Sequence, residues 1–363
     1  MEHHKPAFLD VSKTELNYSL FAKEYEHAIY SLGLLEGSQK NLQNPDLLIS
    51  PLSAKEATVS SKIEGTVSTV SDVFLYEAGG KPGDLDALQV VNYRRAIRNA
   101  TDELKRGRKI TSHLIESLHA TLLQGVRHKA KLGKYREETV WVAEKFTDTI
   151  EKAIYIPPEF HLVRDYMENL MGYLDNNQEG SLIKAGMFHY QFEAVHPFND
   201  GNGRLGRLLI PLILFNEKKL SSPILYLSGY FEAHRDEYLS ALHKVDETWE
   251  YEGWLAFFLH SVAEQLKATQ ALIEKIFNLY DEIRTHFQVT KSPYLIPFVD
   301  FIFESPCFTI PQAQDHLESN SRLTARRLIK LFEGERILQD LNIKAGRAKL
   351  YVFRPLLDLL HER

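Results

Sequence analysis

Residue types suited to phosphoryl chemistry lie close together in "HPFNDGNGR", residues 196–204. His196 carries an imidazole, the side chain that exchanges protons most readily near neutral pH, so it can act as a general base. Pro197 cannot continue a helix, and it keeps the residue before it out of helical conformation. We therefore expect His196 to end a helix and to face the loop that follows. Asp200 is a carboxylate of the kind that holds Mg²⁺ against phosphate oxygens.

The same stretch predicts an anion-binding loop. Gly201 and Gly203 would allow positive φ on both sides of Asn202, so that successive backbone N–H groups point into one concavity. An apolar helix predicted to begin at residue 203 adds the positive end of its dipole. Arg204 and Arg207 lie three residues apart on that helix. Both guanidinium groups can therefore bind phosphate oxygens on one face.

The composition limits the class of protein that carries these groups. A chain of 363 residues predicts two or three domains, and 44% hydrophobic residues suffice for their cores. The formal net charge of −6 gives no global attraction to nucleic acid or anionic membranes. Cys307 is the only cysteine, which excludes disulfide frameworks and cysteine-based zinc sites. The first residues lack the core of a signal peptide, and the apolar run 208–215 is too short to span a bilayer. A soluble, cytoplasmic protein is expected.

Most elements that must position the site are predicted to be helical, so the expected fold class is mainly α. Apolar residues on most faces of residues 181–198 predict a buried helix. Ser53 and Glu56 have the spacing of a capping box, and Gly65 is suited to a C-terminal cap. These signals predict a short helix over about residues 54–64.

One segment departs from the helical period. Two β-rich runs, Thr139–Val142 and Ala153–Ile156, flank a polar link and predict a β-hairpin over about residues 138–157. A single hairpin is marginally stable by itself. We expect this segment to act as an arm over a surface.

The chain from residue 291 to 363 is predicted to form a separate domain. Its pattern is helix, turn, helix and then two short strands around "KAGR", which is typical of a winged helix-turn-helix. Four basic residues lie on the expected recognition helix, about residues 321–332: Arg322, Arg326, Arg327 and Lys330. They could contact phosphates or base edges of DNA. Glu333 and Glu335 follow closely, and contact with a protein is the alternative.

The stretch beginning at His196 resembles the signature of the Fic family, H-P-F-x-[DE]-G-N-G-R-x-x-R, at every specified position. The preceding "KAGMFHYQFEAV" resembles the family helix before that signature. The resemblance implies a helical core that moves AMP from ATP onto a Ser, Thr or Tyr hydroxyl of a target protein. It implies that His196 is the base and that Asp200 carries Mg²⁺. It assigns the anion hole to residues 201–203 and the β- and γ-phosphates to Arg204 and Arg207.

The resemblance also gives roles to segments outside the signature. The predicted hairpin resembles the family flap, which pairs with the backbone of the target. Four residues would offer the strand edge for that pairing: Thr139, Val140, Trp141 and Val142. Tyr230 and Tyr238 are candidate contacts of the nucleotide. Where related enzymes often have a second tyrosine and an asparagine, this chain has Leu239 and Asp246.

The segment "SSKIEG", residues 60–65, resembles the inhibitory motif of the family, [ST]-x-x-x-E-[GN]. Ser60 and Glu64 lie four residues apart, and Gly65 ends the helix. The resemblance implies that Glu64 pairs with Arg207 and so obstructs the γ-phosphate of ATP. In some relatives with this motif the glutamate instead positions a water that removes AMP from a modified protein. The sequence leaves both directions open.

The predicted organisation is an N-terminal helical region (1–105), a Fic core (106–265), a linker helix (266–290) and the winged-helix domain (291–363). Self-modification and a homodimer are further expectations from the resemblance. One rival class is a di-iron bundle, because Glu-x-x-His occurs three times. The three pairs are Glu24/His27, Glu116/His119 and Glu193/His196. Their contexts are dissimilar, and Pro197 places the last histidine in a loop, which disfavours this class.

Overall fold

The computed structural model describes residues 2–9, 15–39, 46–80, 83–126, 131–143, 149–290, 292–317 and 322–362. These residues are mainly helical, as predicted. The α-helices in them are α1 (Ala22–Gln39), α2 (Asp46–Ile63), α3 (Val70–Glu77), α4 (Leu85–Lys105), α5 (Ser112–Leu122), α6 (Val163–Asn176), α7 (Ser181–Val195), α8 (Asn202–Asn216), α9 (Ser228–Ala233), α10 (Arg235–Thr248), α11 (Glu252–His286), α12 (Leu295–Glu304), α13 (Ile310–His316), α14 (Arg322–Gly334) and α15 (Arg354–His361). The strands are β1 (Cys307–Thr309), β2 (Leu338–Ala345) and β3 (Ala348–Phe353).

The chain forms two compact units, each built from two stretches of sequence. Residues 1–37 and 95–266 form the first unit, and residues 38–94 and 267–363 form the second. Helices α4 and α11 contribute residues to both units. The predicted domain boundaries at residues 105, 265 and 290 stay predictions. No helix in the described part of the chain is both long and apolar enough to cross a membrane.

Helices α7 and α8 pack against each other at the centre of the first unit. Nearly every residue of α7 is buried, which confirms the prediction for residues 181–198. Two of its buried polar side chains are held by partners: Lys184 Nζ lies 3.0 Å from Glu217 Oε1, and Gln191 Nε2 donates a hydrogen bond to the backbone oxygen of Ala7. A buried polar group without such a partner would be costly. Helix α7 therefore has no side that faces solvent, and the site lies at the end of this buried helix.

Helix α2 begins earlier than predicted, at Asp46 rather than near residue 54, and ends at Ile63. The predicted capping box is wrong, because Ser53 lies inside the helix and its hydroxyl donates to the backbone oxygen of Ser50. Leu48 and Leu52 are buried in the second unit, where α2 packs on α12. Burial of these leucines explains why the helix extends past the local capping signal.

The predicted hairpin is reduced to one antiparallel bridge, between Val142 and Tyr155. Val142 N–H donates to Tyr155 O at 2.8 Å, and Ile154 N–H donates to Val142 O at 2.8 Å. The pairing of the two runs is therefore confirmed, whereas two full strands are not present in the described residues. Residues 144–148, which would form the tip, lie outside the described part. We call residues 138–143 and 149–157 the flap limbs.

The C-terminal part of the second unit has the predicted order of helix, helix and two strands, in α13, α14, β2 and β3. The three strands form an antiparallel sheet in the order β1-β3-β2. Gly346 turns the chain between β2 and β3 with φ +61°. The predicted recognition helix corresponds to α14, and residue 321 lies outside the described residues. Phe332 of α14 is fully buried and lies edge-on to Phe298, which anchors α14 in the core of this unit.

Candidate functional site

His196 ends α7 in a left-handed conformation, with φ 49° and ψ 61°. The prediction that this residue terminates a helix is confirmed. Its N–H donates to Phe192 O at 3.0 Å, which closes the last turn. A residue other than glycine at positive φ is energetically unfavourable, by about 1–2 kcal/mol. The surrounding structure must therefore hold the histidine in this conformation.

Asn202 closes the turn that follows the histidine. Its Oδ1 accepts a hydrogen bond from Phe198 N–H at 2.9 Å, and its Nδ2 donates to Phe198 O at 2.8 Å. Phe198 is fully buried, so the turn is fixed both by packing and by this pair of bonds. The side chain of Asn202 thus holds the turn. The residue would contribute to an anion site through its backbone N–H.

We expect Asn202→Ala to lower the free energy of unfolding by about 2–4 kcal/mol. The substitution leaves the buried N–H and C=O of Phe198 without partners, and each such group costs about 1–3 kcal/mol. Asn199, in the same turn and partly exposed, provides the control, and Asn199→Ala is expected to change stability by less than about 1 kcal/mol. Denaturant unfolding of both variants measures the difference. Equal losses would show that the amide of Asn202 does not hold the turn.

The glycine pattern differs from the prediction at one position. Gly201 has φ +80°, as predicted, whereas the predicted positive φ at Gly203 is wrong because this residue lies inside α8. The helix begins at Asn202, one residue early, since Leu205 N–H donates to Gly201 O at 3.0 Å. The first N–H groups of a helix have no carbonyl acceptor within it. The first turn of α8 can therefore supply the donors that the sequence analysis assigned to a loop.

His119 supports the turn from the opposite side. Its ring stacks on Phe198 with centroids 3.9 Å apart, and it is fully buried. Gly133 N–H lies 2.9 Å from Nδ1. A backbone N–H can only donate, so Nδ1 accepts and Nε2–H donates to the Asp200 backbone oxygen, 3.0 Å away. The two bonds define a neutral tautomer whose donor holds the backbone beside the predicted metal ligand.

Both arginines of the signature are buried, each with only 3% exposure. Arg204 Nη2 lies 3.5 Å from Asp200 Oδ1, and the carboxylate side chain is 43% exposed. His189 lies near the second arginine, Arg207. Burial, together with the charge of Arg207, lowers the pKa of His189 to about 3. His189 is therefore a neutral imidazole beside this guanidinium group.

The two tyrosines proposed as nucleotide contacts have different surroundings. Tyr238 is 4% exposed, its hydroxyl lies 2.8 Å from His189 Nε2, and its ring stacks on Phe231. Tyr230 is partly exposed and stacks on His234 at 4.0 Å. The hydroxyl of Tyr238 is thus engaged within the core, while the side chain of Tyr230 is only partly buried. Their contact with a nucleotide stays a prediction.

Asp246, one of the two positions that differ from the family pattern, anchors a polar cluster. Tyr190 donates to Asp246 Oδ1 at 2.8 Å, and His4 Nε2 lies 3.2 Å from the same oxygen. Burial alone would raise the pKa of this carboxyl, but interactions with His243, His4 and Tyr190 hold it below its ordinary value. An ionised aspartate therefore stands where the sequence analysis noted an asparagine in relatives.

The inhibitory motif lies at the end of α2, in the second unit. Ser60 is fully buried, and Glu64 lies exposed in the turn after the last helical residue. Gly65 has φ +95°, so the predicted helix end is confirmed. Arg207 belongs to the first unit. The pairing of Glu64 with Arg207 stays a prediction.

Four residues were assigned to the target-binding edge of the flap limbs. Val142 forms the bridge to Tyr155, and Thr139 and Val140 are partly exposed. Trp141 is 41% exposed. An exposed tryptophan next to a bridged residue can take part in β-augmentation.

Two buried residues that hold this site were missed by the sequence reasoning, His119 and Arg136. His119 lies on α5, and Arg136 lies between α5 and the flap limbs. His119 was noted only as part of a Glu-x-x-His pair, and Arg136 only as a charged residue near a turn, and neither pattern predicts a role in holding the site. Concerning the di-iron rival, the described residues contain no group of three or more histidine, cysteine or acidic side chains able to hold a metal ion.

The site combines a left-handed histidine between two buried helices with two buried arginines on the second helix. Together with the signature sequence, this arrangement is that of a helical protein of the Fic fold. Two family models match this chain: Fic/DOC family N-terminal over residues 22–102, and Fic/DOC family over residues 109–214. A Fido domain-containing protein of Dictyostelium discoideum is 32% identical over 122 residues, which cover 32% of this chain and 74% of that protein. The chain belongs to the Fic/DOC family.

Two further similarities concern length and fold. A probable protein adenylyltransferase of Aquifex aeolicus is 32% identical over 96 residues, or 26% of this chain. The chain spans only 28% of the length of that relative. The crystal structure of a Fic family protein from Desulfovibrio desulfuricans matches with a TM-score of 0.58 at 19% identity, over 91% of this chain and 95% of the other. This structural match shows a shared fold.

Proposed function

We propose that the chain is a protein adenylyltransferase, which moves AMP from ATP onto a Ser, Thr or Tyr hydroxyl of a target protein or of itself. The observation that carries the proposal is the complete signature at the junction of α7 and α8. There a left-handed His196 precedes a helix start with two buried arginines. The name of the Aquifex relative supports the same activity.

In the proposed reaction His196 accepts the proton of the target hydroxyl. The resulting oxygen nucleophile attacks the α-phosphorus of ATP, and the bond to the bridging oxygen breaks, so that pyrophosphate leaves. The N–H groups at the start of α8 stabilise negative charge on the phosphates. Arg204 and Arg207 bind the β- and γ-phosphates, because guanidinium groups form paired bonds to such oxygens.

Asp200 fits the role of the magnesium ligand. Its carboxylate is partly exposed beside the start of α8, next to the expected phosphates. Mg²⁺ often binds proteins through one or two carboxylates and takes its remaining ligands from phosphates and water. A bound Mg²⁺ would reduce the negative charge of the triphosphate, and Asp200 is the residue that would hold it.

The proposed enzyme is autoinhibited by Glu64. This carboxylate lies in the exposed turn after α2, and it would compete with the γ-phosphate for Arg207. The opposite reaction is the alternative, in which Glu64 orients a water that releases AMP from a modified protein. Release of label from a pre-labelled protein by the wild type, and its loss in Glu64→Gly, would support that direction.

Incorporation of label from [α-³²P]ATP with Mg²⁺ tests the proposal. The wild type, Glu64→Gly and the double variant Glu64→Gly/His196→Ala are compared with and without cell lysate. Label that appears in Glu64→Gly and disappears in the double variant supports AMP transfer. Label from [γ-³²P]ATP in place of [α-³²P]ATP would indicate phosphate transfer and contradict it. A homodimer is proposed only by analogy, and the molar mass in solution tests it.

A second candidate function is DNA binding by a winged-helix domain formed by α12–α15 and the sheet. The observation in its favour is a set of exposed basic side chains on α14 and at the turn between β2 and β3. They are Arg326, Arg327, Lys330, Lys344 and Arg347. Charged groups on such a helix and wing can contact DNA phosphates. This binding would accompany catalysis and would give the protein a regulatory role in transcription.

We expect the double variant Arg326→Ala/Arg327→Ala to weaken binding to a 25-base-pair duplex by at least about tenfold. Loss of two phosphate contacts should also lower the slope of log K against log salt by about 2. Lys267, an exposed residue of α11 away from the basic set, provides the control Lys267→Ala. Fluorescence anisotropy over a salt series measures both quantities. Equal slopes in all three proteins would contradict DNA binding through α14.

A further inference from the structure

Arg136 is a buried arginine outside the signature, with 2% exposure. Its hydrogen-bond acceptors in the described residues are all backbone oxygens. Burial lowers the pKa of the guanidinium to about 10, so it is still charged at neutral pH. A buried cation held by carbonyl dipoles alone depends on their number and direction. The acceptors therefore show which parts of the backbone this residue holds.

One set of acceptors is the end of α7. Arg136 Nε donates to His196 O at 2.9 Å, and Nη2 donates to Val195 O at 3.3 Å. The backbone N–H of Arg136 donates to Pro197 O at 2.9 Å. The last carbonyl groups of a helix carry partial negative charge and favour a cation. Three consecutive carbonyl groups around the left-handed histidine are thus bound by a single residue.

The other set of acceptors belongs to the flap limbs. Nη2 of Arg136 donates to Pro158 O at 2.6 Å, immediately after one limb, and Nη1 donates to Glu138 O at 3.3 Å, at the start of the other. Tyr155 adds a second link, because its hydroxyl donates to Ala194 O at 2.7 Å. The limbs and the end of α7 are therefore connected through side chains as well as through the chain itself.

We propose that Arg136 is a positioning residue that holds the backbone of His196 and the bases of both flap limbs in one fixed arrangement. The inference rests on the proposed function, since it assigns the base to His196 and the target to the flap limbs. The planar fork of arginine reaches both sets of carbonyl groups at once. A lysine keeps the charge but offers one nitrogen in place of three, so it cannot reproduce all four side-chain hydrogen bonds of Arg136.

The test is Arg136→Lys, made in the Glu64→Gly protein to remove the proposed inhibition. Misplacement of reacting groups by about 1 Å can lower a rate by about 10²-fold. We therefore expect kcat for AMP transfer to fall by about 10²-fold and KM for the target to rise. The affinity for a non-hydrolysable ATP analogue should change by less than about twofold, because the first turn of α8 is held separately by Asn202.

The matched control is Lys184→Gln, at the other end of α7. Lys184 is a buried cation with an ion pair to Glu217, so its loss costs stability without touching the proposed positioning contacts. We expect a lower melting temperature and unchanged kcat. If both variants lose kcat in proportion to their loss of stability, Arg136 has only a structural role and the proposal is overturned.

Amide hydrogen exchange supplies a readout that needs no activity. Peptides that cover residues 138–143, 152–158 and 192–200 report the flap limbs and the end of α7. Arg136→Lys should accelerate exchange in all three peptides by at least about tenfold, and Lys184→Gln should accelerate none of them. Unchanged exchange in Arg136→Lys would contradict the positioning role of Arg136 but not the proposed AMP transfer. If the Glu64→Gly parent transfers no AMP but Arg136→Lys accelerates exchange, the proposed function is contradicted and the positioning role is not.

Discussion

Replacing His196 by asparagine should lower AMP transfer by about 10²–10⁴-fold, the usual contribution of a positioned general base. The amide cannot accept the hydroxyl proton as an imidazole does. Asparagine tolerates left-handed backbone better than most residues, and the φ of 49° at this position therefore favours it. The melting temperature of His196→Asn should accordingly stay close to that of the parent.

His196→Ala is the companion variant for this prediction. It also lacks the base, but alanine fits the left-handed conformation less well, so we expect lower stability at equal inactivity. The assay is initial-rate transfer of labelled AMP in the Glu64→Gly protein, with ATP-analogue binding measured in parallel. Binding should be unchanged, because the proposed phosphate contacts lie on α8. Transfer within about tenfold of the parent in the stable asparagine variant would exclude His196 as the base.

Local signals predicted the parts of the site that neighbouring residues determine. The end of α7 at His196 follows from Pro197, and the turn at Gly201 follows from the need for positive φ. The buried character of α7 follows from its apolar composition on most faces. In each case the residue that causes the feature lies within a few residues of it, so the local sequence is sufficient to predict it.

Features that depend on distant contacts could not be predicted in the same way. The capping signal at Ser53 suggested a helix start, but burial of Leu48 and Leu52 extends α2 to Asp46. Packing against a distant helix outweighs a local cap. The flap was predicted as two strands, although only the bridge at Val142 forms a ladder pair among the described residues. The limbs are also held by side chains, such as the Tyr155 hydroxyl that donates to Ala194 O.

The supporting residues illustrate the same limit. His119 lies 81 residues before the carbonyl that it binds, and Arg136 lies 60 residues before His196. Neither distance corresponds to a helical or strand period. Their tasks become apparent only when the fold brings backbone carbonyl groups to them. A buried polar side chain that binds main-chain oxygens is thus a structural observation, and it gives the site its rigidity.

Replacing Glu64 by glycine should raise AMP transfer by about 10- to 100-fold. A pair between Glu64 and Arg207 that is worth about 1.4–2.7 kcal/mol corresponds to this factor, since 1.36 kcal/mol changes a rate tenfold. The value suits an exposed carboxylate, because solvent screening limits the energy of an exposed ion pair. Glu64→Gln, which keeps the size and removes the charge, should give an intermediate gain.

A comparison of ATP-analogue and ADP binding tests whether Glu64 acts at the γ-phosphate. If Glu64 competes with the γ-phosphate for Arg207, its removal should tighten binding of an ATP analogue and leave ADP binding unchanged, because ADP has no γ-phosphate. Isothermal titration of both nucleotides to the wild type and to Glu64→Gly measures the two affinities. Equal tightening of both would place the inhibition elsewhere. In Arg207→Ala the same glutamate substitution should give no gain, since the residue for which it competes is absent, and a full gain there would refute the pairing.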